Sequence, residues 1–164
     1  VLAVGPSALT PLSTLFEADG IVLALADVND PGNAGTLLRS AEAFGITRVV
    51  FGALGAEPYH PKVVRGAMGA IFRQQVAIAS PEQFAEAAGG WTVTGLRAGG
   101  EDLDAFDFAG RHALIVGNER RGLGIWEPLC SRVASIRMHG AAESLNAAVA
   151  GSIALYEATK RRHG

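Results

Sequence analysis

Near the end of the chain, in ESLNAAVAG at 143–151, Glu143, Ser144 and Asn146 stand within four positions of one another. They lie directly ahead of a run of alanine, valine and glycine. A carboxylate, a hydroxyl and a carboxamide at the mouth of an apolar helix can cap its free N–H groups or hold a ligand. Ser144 as N-cap accounts for one of the three. Asn146 would fall inside the first turn, where a cap needs nothing further, and Glu143 has no capping task either. Behind them Leu145, Ala148/Val149, Ser152/Ile153 and Tyr156 keep helical spacing. This apolar stripe, with small residues between, suits close packing against another helix.

Two more stretches carry chemistry. GNERRGLG at 117–124 copies the first half of a phosphate-binding P-loop. The second half fails, because Leu123-Gly124 stand where Lys-Ser/Thr must meet phosphate and Mg²⁺. A dinucleotide fingerprint fails too, since DVNDPGNAG follows the first strand in place of G-x-G-x-x-G. A glycine-rich turn remains, bearing Glu119, Arg120 and Arg121. It reads either as a tight surface turn or as a turn whose arginines meet nucleic-acid phosphate. In NDPGNAGTLLRSAEAFG at 29–45, Asn33 lies near a helix start and could cap it, and Arg39 follows six residues later. Arg39 reads equally as a ligand-facing group or as a surface arginine paired with Glu42 or Glu143.

Regularly alternating elements must position these residues. IVLALA (21–26), TRVVFG (47–52), QVAIA (75–79), WTVTG (91–95), HALIVG (112–117) and RVASIRM (132–138) read as strands. Helices are expected after Asp30 up to Gly45, at the start of 61–73 before Gly66 and Gly69 loosen it, over 80–90, and from Ser144 to Arg162. The third has Ser80 as N-cap, Pro81 in the first turn, Gln83 to complete a capping box, and Gly89 as its stop. Strand–helix alternation predicts an α/β domain with a mostly parallel sheet flanked by helices. Such sheets bind ligands beyond the carboxyl ends of their strands. That singles out 27–39, 94–100, 117–124 and 137–146.

Bulk composition agrees. The 164 residues are 49% hydrophobic and 18% charged, as in a well-packed globular domain. No apolar run reaches the roughly 18 residues a membrane helix needs. The single cysteine, Cys130, leaves no internal disulfide and no cysteine-based zinc site, so no metal is expected and a reducing cytoplasm fits. Net charge is −2, yet residues 80–108 hold six acids and one base, leaving the rest at +3. The bases gather at Lys62/Arg65/Arg73, Arg120/Arg121 and Lys160/Arg161/Arg162, and local clusters rather than net charge decide phosphate binding. The chain opens with Val, and residues 1–20 show no sustained period. They read as the tail of a linker or of a preceding domain, ahead of the alternating elements that begin at Ile21.

NDPGNAGTLLRSAEAFG, IVGNERRGLG and IRMHGAAESLNAAVAGSIALYEA, in that order, resemble the three motifs of the SpoU (TrmH-like) RNA 2′-O-methyltransferases. PKVVRGAMGAIFRQQV resembles the segment between the first two. The likeness runs from about Ile21 to Arg162. It implies a SPOUT fold whose C-terminal segment is threaded into a deep trefoil knot. It implies S-adenosylmethionine as cofactor, with S-adenosylhomocysteine as product. Gly117, Ile136 and Leu145 would line the cofactor pocket, with Thr94, Gly95, Leu96 and Met138 nearby. Arg39 would sit at the reacting ribose, with Asn33, Glu119, Ser144 and Asn146 as the polar shell around it. Arg39, Arg65, Arg120 and Arg121 would meet RNA, ribosomal or transfer. The resemblance further implies a homodimer that shares its site between subunits, with the C-terminal helix in the interface. One departure is visible: Ile136-Arg137-Met138 stands where the family usually reads Ile-Pro-Met. Losing the proline is expected to free that loop and add a charge that favours RNA. An RNA-binding module of the same fold without catalysis is the alternative.

Overall fold

The computed structural model describes residues 8–141 and 144–160. Six strands form one parallel sheet: β1 (Gly20–Leu25), β2 (Arg48–Gly52), β3 (Gln75–Ala79), β4 (Thr92–Asp102), β5 (Arg111–Val116) and β6 (Arg132–Ser135). They lie in the order β3-β2-β1-β5-β4-β6. Four α-helices connect or follow them: α1 (Pro31–Ala43), α2 (Pro61–Ala67), α3 (Pro81–Ala87) and α4 (Ala147–Lys160).

Both faces of the sheet are covered, so the central strands are apolar without a break, as buried parallel strands must be. Period-2 alternation sorts their side chains. Ile21, Leu23, Leu25, Leu114 and Val116 face α1, α2 and α4. Val22, Ala24, Ala113 and Ile115 face α3 and a layer of aromatics, Phe16, Phe84, Trp91 and Trp126. Phe16 meets Phe84 and Trp91 edge-on, with ring centroids at 5.6 and 5.0 Å. Phe16 belongs to a 3-10 turn at Leu12–Phe16, in a stretch with no periodic signal in sequence. Arg48 fastens that stretch by donating to the carbonyls of Leu15, Ala18 and Asp19.

Most elements fall where the patterning puts them, and four differ for identifiable reasons. Strand β4 runs on past Gly95 to Asp102. Its pairing with β6 breaks at Leu96 and resumes at Glu101, so residues 97–100 loop out. Strand β6 ends at Ser135, leaving Ile136 to Met138 irregular. Helix α2 stops at Ala67 because Met68 and Gly69 are left-handed (φ 51° and 87°), and a 3-10 turn at Ala70–Arg73 follows. Helix α4 begins at Ala147, three residues later than Ser144. The capping box at Ser80 and Gln83 forms as its spacing demands. No helix among the described residues is long and apolar enough to cross a membrane.

Helix α4 is seated by Gly151, where a Cβ would strike Leu37 and lie 2.9 Å from Val116. Its small residues Ala148, Ala154 and Ala158 are buried with Leu155. The stripe of Leu145, Val149, Ile153 and Tyr156 therefore faces outward and stays partly exposed.

Candidate functional site

Chain order along the sheet reverses between β1 and β5, and in α/β sheets such a switch point opens a crevice at the strand ends. Asp27, just beyond β1, takes a left-handed conformation (φ 52°). Its carboxylate accepts from the Leu54 amide at 3.1 Å and from Trp126 Nε1 at 2.9 Å. Beyond β5, Asn118 and Gly122 close a tight hairpin through reciprocal backbone bonds of 2.8 and 2.9 Å. The Asn118 side chain accepts from the amides of Arg120 and Arg121 and donates to the Asp27 carbonyl at 2.7 Å. The turn is thus braced by its own hydrogen bonds, with the amides of Arg120, Arg121 and Gly122 turned inward to Asn118. It directs Glu119 toward the start of α1 and leaves Arg120 and Arg121 exposed.

Glu119 ties the two strand ends together. It accepts from the amides of Asn29 and Asp30, both at 3.3 Å, and from Asn33 Nδ2 at 2.8 Å. Asn33 Oδ1 in turn accepts from Asn146 Nδ2 at 3.0 Å. Asn146 Oδ1 accepts from the amides of Ala148 and Val149 at 2.8 and 3.2 Å, capping α4. Each carboxamide has one accepting and one donating end, so the polarity of the series is fixed. The cap commits the Asn146 oxygen, its nitrogen must face the Asn33 oxygen, and the Asn33 nitrogen must face Glu119. One relay therefore fastens the N-termini of α1 and α4 to the hairpin after β5.

Two capping assignments change as a result. Asp30, not Asn33, caps α1, accepting from the Asn33 amide at 2.8 Å, with Pro31 in the first turn. Asn146, not Ser144, caps α4. Ser144 makes no hydrogen bond to any described residue and borders the cavity beside the relay. Glu143 lies outside the described residues.

That cavity, of about 370 Å³, opens against the relay. Its lining includes Leu96, Gly117, Ile136, Met138 and Leu145, together with Glu119, Ser144 and Asn146. Thr94 and Gly95 do not border it. Thr94 is fully buried and hydrogen-bonds His112 Nε2 at 2.8 Å. A Cβ on Gly95 would point at Leu123 and the Cys130 sulfur on the opposite side of the sheet. Polar lining groups not named as candidates from the sequence are Arg97, Asn118 and Ser135, the first two inside stretches the strand ends point to. Asn118 sits inside a quoted motif but signals only a turn. Arg97 stands in the loop that interrupts β4 and pairs with Glu127 at 3.0 Å.

Arg39 lies elsewhere. It is exposed on α1 and makes no hydrogen bond or ion pair with a described residue. Glu42 is occupied by Arg73, whose hydrogen bond holds the Glu42 carboxyl below the ordinary range. Arg65 is exposed on α2. The loop with Arg137 is not freed by the missing proline, because Arg137 forms an ion pair with Asp102 at the end of β4. Nearby, Arg132 bonds Glu101 and lies 3.9 Å over the Phe106 ring, which holds the β4–β6 junction from its other side. Arg137 thus has an acidic partner, while its side chain stays mostly exposed.

The relay, the hairpin and the cavity all fall within residues 20–156, and that span matches the model of the SpoU rRNA Methylase family. The chain belongs to the SpoU rRNA Methylase family. A 23S rRNA (uridine(2479)-2′-O)-methyltransferase of Streptomyces viridochromogenes is 38% identical over 142 residues, 80% of this chain and 50% of that one. The AdoMet-bound rRNA methyltransferase from Sinorhizobium meliloti superposes with a TM-score of 0.87 at 32% identity, covering 95% of this chain and 61% of that one. A solved structure described through the 2-OH methylation of C/U34 on tRNA gives a TM-score of 0.78 at 31% identity, covering 88% and 97%. This SpoU chain spans about half the length of the curated relatives it matches.

Proposed function

We propose that this SpoU domain transfers a methyl group from S-adenosylmethionine to a ribose 2′-hydroxyl of ribosomal RNA, acting in the cytoplasm. The observation that carries the reading is the Asn146–Asn33–Glu119 relay at the mouth of the cavity. The relay fixes the hairpin and two helix ends against one another before any ligand arrives, as alignment of two reactants requires.

The residues present fit the cofactor. The cavity lies within the range for small-molecule sites. Leu96, Val116, Ile136 and Leu145 offer an apolar seat for a nucleoside, and Ser144, Ser135 and Arg97 offer polar and cationic groups for its hydrophilic parts. The bound cofactor supplies an electrophilic methyl group. The task left to the protein is orientation, for which aligned reactants gain roughly 7–11 kcal/mol. Glu119 and the relay fix the wall against which the ribose would be set. Arg39 holds the neighbouring phosphate and stabilises the alkoxide developing as the hydroxyl gives up its proton to water. A guanidinium is a poor base, so its role is electrostatic.

Arg39 does not reach the cavity of its own chain. We therefore infer a homodimer in which Arg39 of one protomer serves the cavity of its partner. The outward stripe of Leu145, Val149, Ile153 and Tyr156 is the apolar surface such a dimer would cover. The trefoil knot of the C-terminal segment belongs to the same reading.

Calorimetry with S-adenosylmethionine, followed by transfer of labelled methyl to ribosomal RNA and mapping of 2′-O-methyl sites, tests the proposal. Binding without transfer to any RNA would favour the non-catalytic alternative. Transfer to transfer RNA alone would favour the second reading, which the likeness to the tRNA-modifying structure supports.

A further inference from the structure

The two most exposed large apolar side chains among the described residues are Met68 and Phe72, at 70% and 71% of full exposure. They share one turn. Ala67, Ala70 and Ile71 of the same segment are buried, so the turn is anchored while these two side chains project from it. Met68 also holds a left-handed backbone (φ 51°), a conformation that glycine or asparagine adopts at lower cost. A large apolar group kept outward at a strained position points to a surface with a partner.

The surroundings select the partner. From Pro58 to Pro81 the chain has no acidic residue, while Lys62, Arg65 and Arg73 lie within it. Lys62 and Arg65 are three apart on α2, on one side of the helix, exposed and without an ion pair to a described residue. Interfaces between protein chains favour Met, Phe and Arg but are depleted of Lys, so Lys62 and the lack of any acid over 58–81 decide for a polyanion. Exposed aromatic and thioether groups among free cations suit unpaired bases and their phosphates.

Position supports the same choice. Gly35, Arg39 and Glu42 form one row along α1. Gly35 packs against Gly66 at the end of α2, where a Cβ would stand 2.8 Å from its Cα. Glu42 is held by Arg73 at the end of the following turn. The segment 66–73 therefore runs alongside Arg39, between those two anchor points.

We propose that Met68 and Phe72 form a stacking shelf for an unpaired base adjacent to the target nucleotide, with Lys62 and Arg65 holding the flanking phosphates. This rests on the RNA-methylation reading and specifies which form of RNA the site accepts: a single-stranded or looped segment. The test compares wild type, Phe72→Ala and Phe72→Trp. The probes are a fluorescein-labelled single-stranded oligoadenylate and a fully paired RNA duplex. Wild type should prefer the single strand. Phe72→Ala should bind it roughly fivefold to a hundredfold more weakly, the range for one lost base stack, with cofactor affinity and molecular mass unchanged. Phe72→Trp should keep affinity, and its fluorescence should be quenched by the oligonucleotide. Unchanged affinity in Phe72→Ala, an unquenched Phe72→Trp, or a Phe72→Ala protein that falls from dimer to monomer would each overturn the shelf. The last would assign the surface to a second copy. A wild-type protein that methylates RNA while Phe72→Ala is indifferent sinks the shelf alone. A wild-type protein that binds no RNA sinks the functional reading with it.

Discussion

Asn33 and Arg39 stand six residues apart on one helix, roughly 120° from each other around its axis, and their circumstances are opposite. Asn33 has both ends of its carboxamide committed, to Glu119 and to Asn146. Ser40, one residue past Arg39, is likewise engaged, 2.7 Å from Ser152 of α4. Arg39 faces solvent with no partner among the described residues. The helix thus has a side that builds the pocket and a side that waits for something from outside. A side chain locked by internal bonds shapes a site before any ligand arrives, at no further ordering cost. An unpartnered arginine keeps its donors free for a phosphate and spends its rotamer freedom only on binding. Within one chain, the relay is complete and Arg39 lies outside the cavity beside it.

The sharpest way to break this contrast is Arg39→Ala. Turnover should fall about 10²–10³-fold, the range for losing one charge-stabilising donor. Cofactor affinity should stay within about twofold, since Arg39 touches no part of the cavity, and the melting temperature should barely move. Equal losses in turnover and cofactor binding would put Arg39 on the structural side of the helix. Mixing Arg39→Ala with Asn146→Ala protein, after dissociation and reassociation and assayed at limiting cofactor, should raise activity to about a quarter of wild type, well above the average of the two variants alone, if the site is shared. Half the reassembled dimers would then carry one intact site of two. No restoration would place each site within a single chain.

Asn146→Ala should have the reverse profile and a smaller effect on rate relative to its effect on stability. It removes the α4 cap, worth about 1 kcal/mol, and leaves the Asn33 oxygen without its donor. The melting temperature should drop by about 2–6 °C for a domain of this size, and cofactor affinity should weaken about tenfold. Asn146→Asp separates the two jobs. Its carboxylate still caps and suits the helix N-terminus, but it presents an oxygen to the Asn33 oxygen. Thermal stability should recover while cofactor affinity does not. If both recover, the relay is only a cap.

How far these roles could be read beforehand depended on whether a residue acts locally. The α/β alternation, the capping box at Ser80 and the parallel sheet follow from periodicity and short-range signals, and they form as expected. The polar cluster ahead of α4 was visible, but its internal assignment was not. Which of Ser144 and Asn146 caps the helix depends on where Asn33, 113 residues away, leaves a donor site. The run of β4 past Gly95 was hidden for the same reason: Glu101 and Asp102 look like loop acids until Arg132 and Arg137 meet them from β6 and beyond. Asp27 gave no signal, since its partners Leu54 and Trp126 come from other strand ends. Of the residues the three motifs point to for a cofactor, Leu96, Gly117, Ile136, Met138 and Leu145 border the cavity, whereas Thr94 and Gly95 do not.

The mildest test asks whether the locked side is shut from behind as well. Cys130 lies under Gly95 on the far face of the sheet, half-buried, its sulfur 3.6 Å from the Trp126 carbonyl. Burial, with Glu127 nearby, pushes its thiol up to about 11 from an ordinary 9.0. The thiolate is the reactive form, so alkylation by iodoacetamide at pH 8 should be far slower than for an exposed cysteine. The sign of the pH dependence follows. The raised value favours the protonated, folded form. Its stabilisation is complete below about 9 and is lost as pH climbs from there through about 11, where the unfolded chain releases the proton first. Urea unfolding of wild type and Cys130→Ala across that window should therefore converge as pH rises, with the difference constant below it. Parallel curves throughout, or rapid alkylation at pH 8, would mean that the sheet opens behind the cavity, and that the pocket side of α1 is less settled than its hydrogen bonds imply.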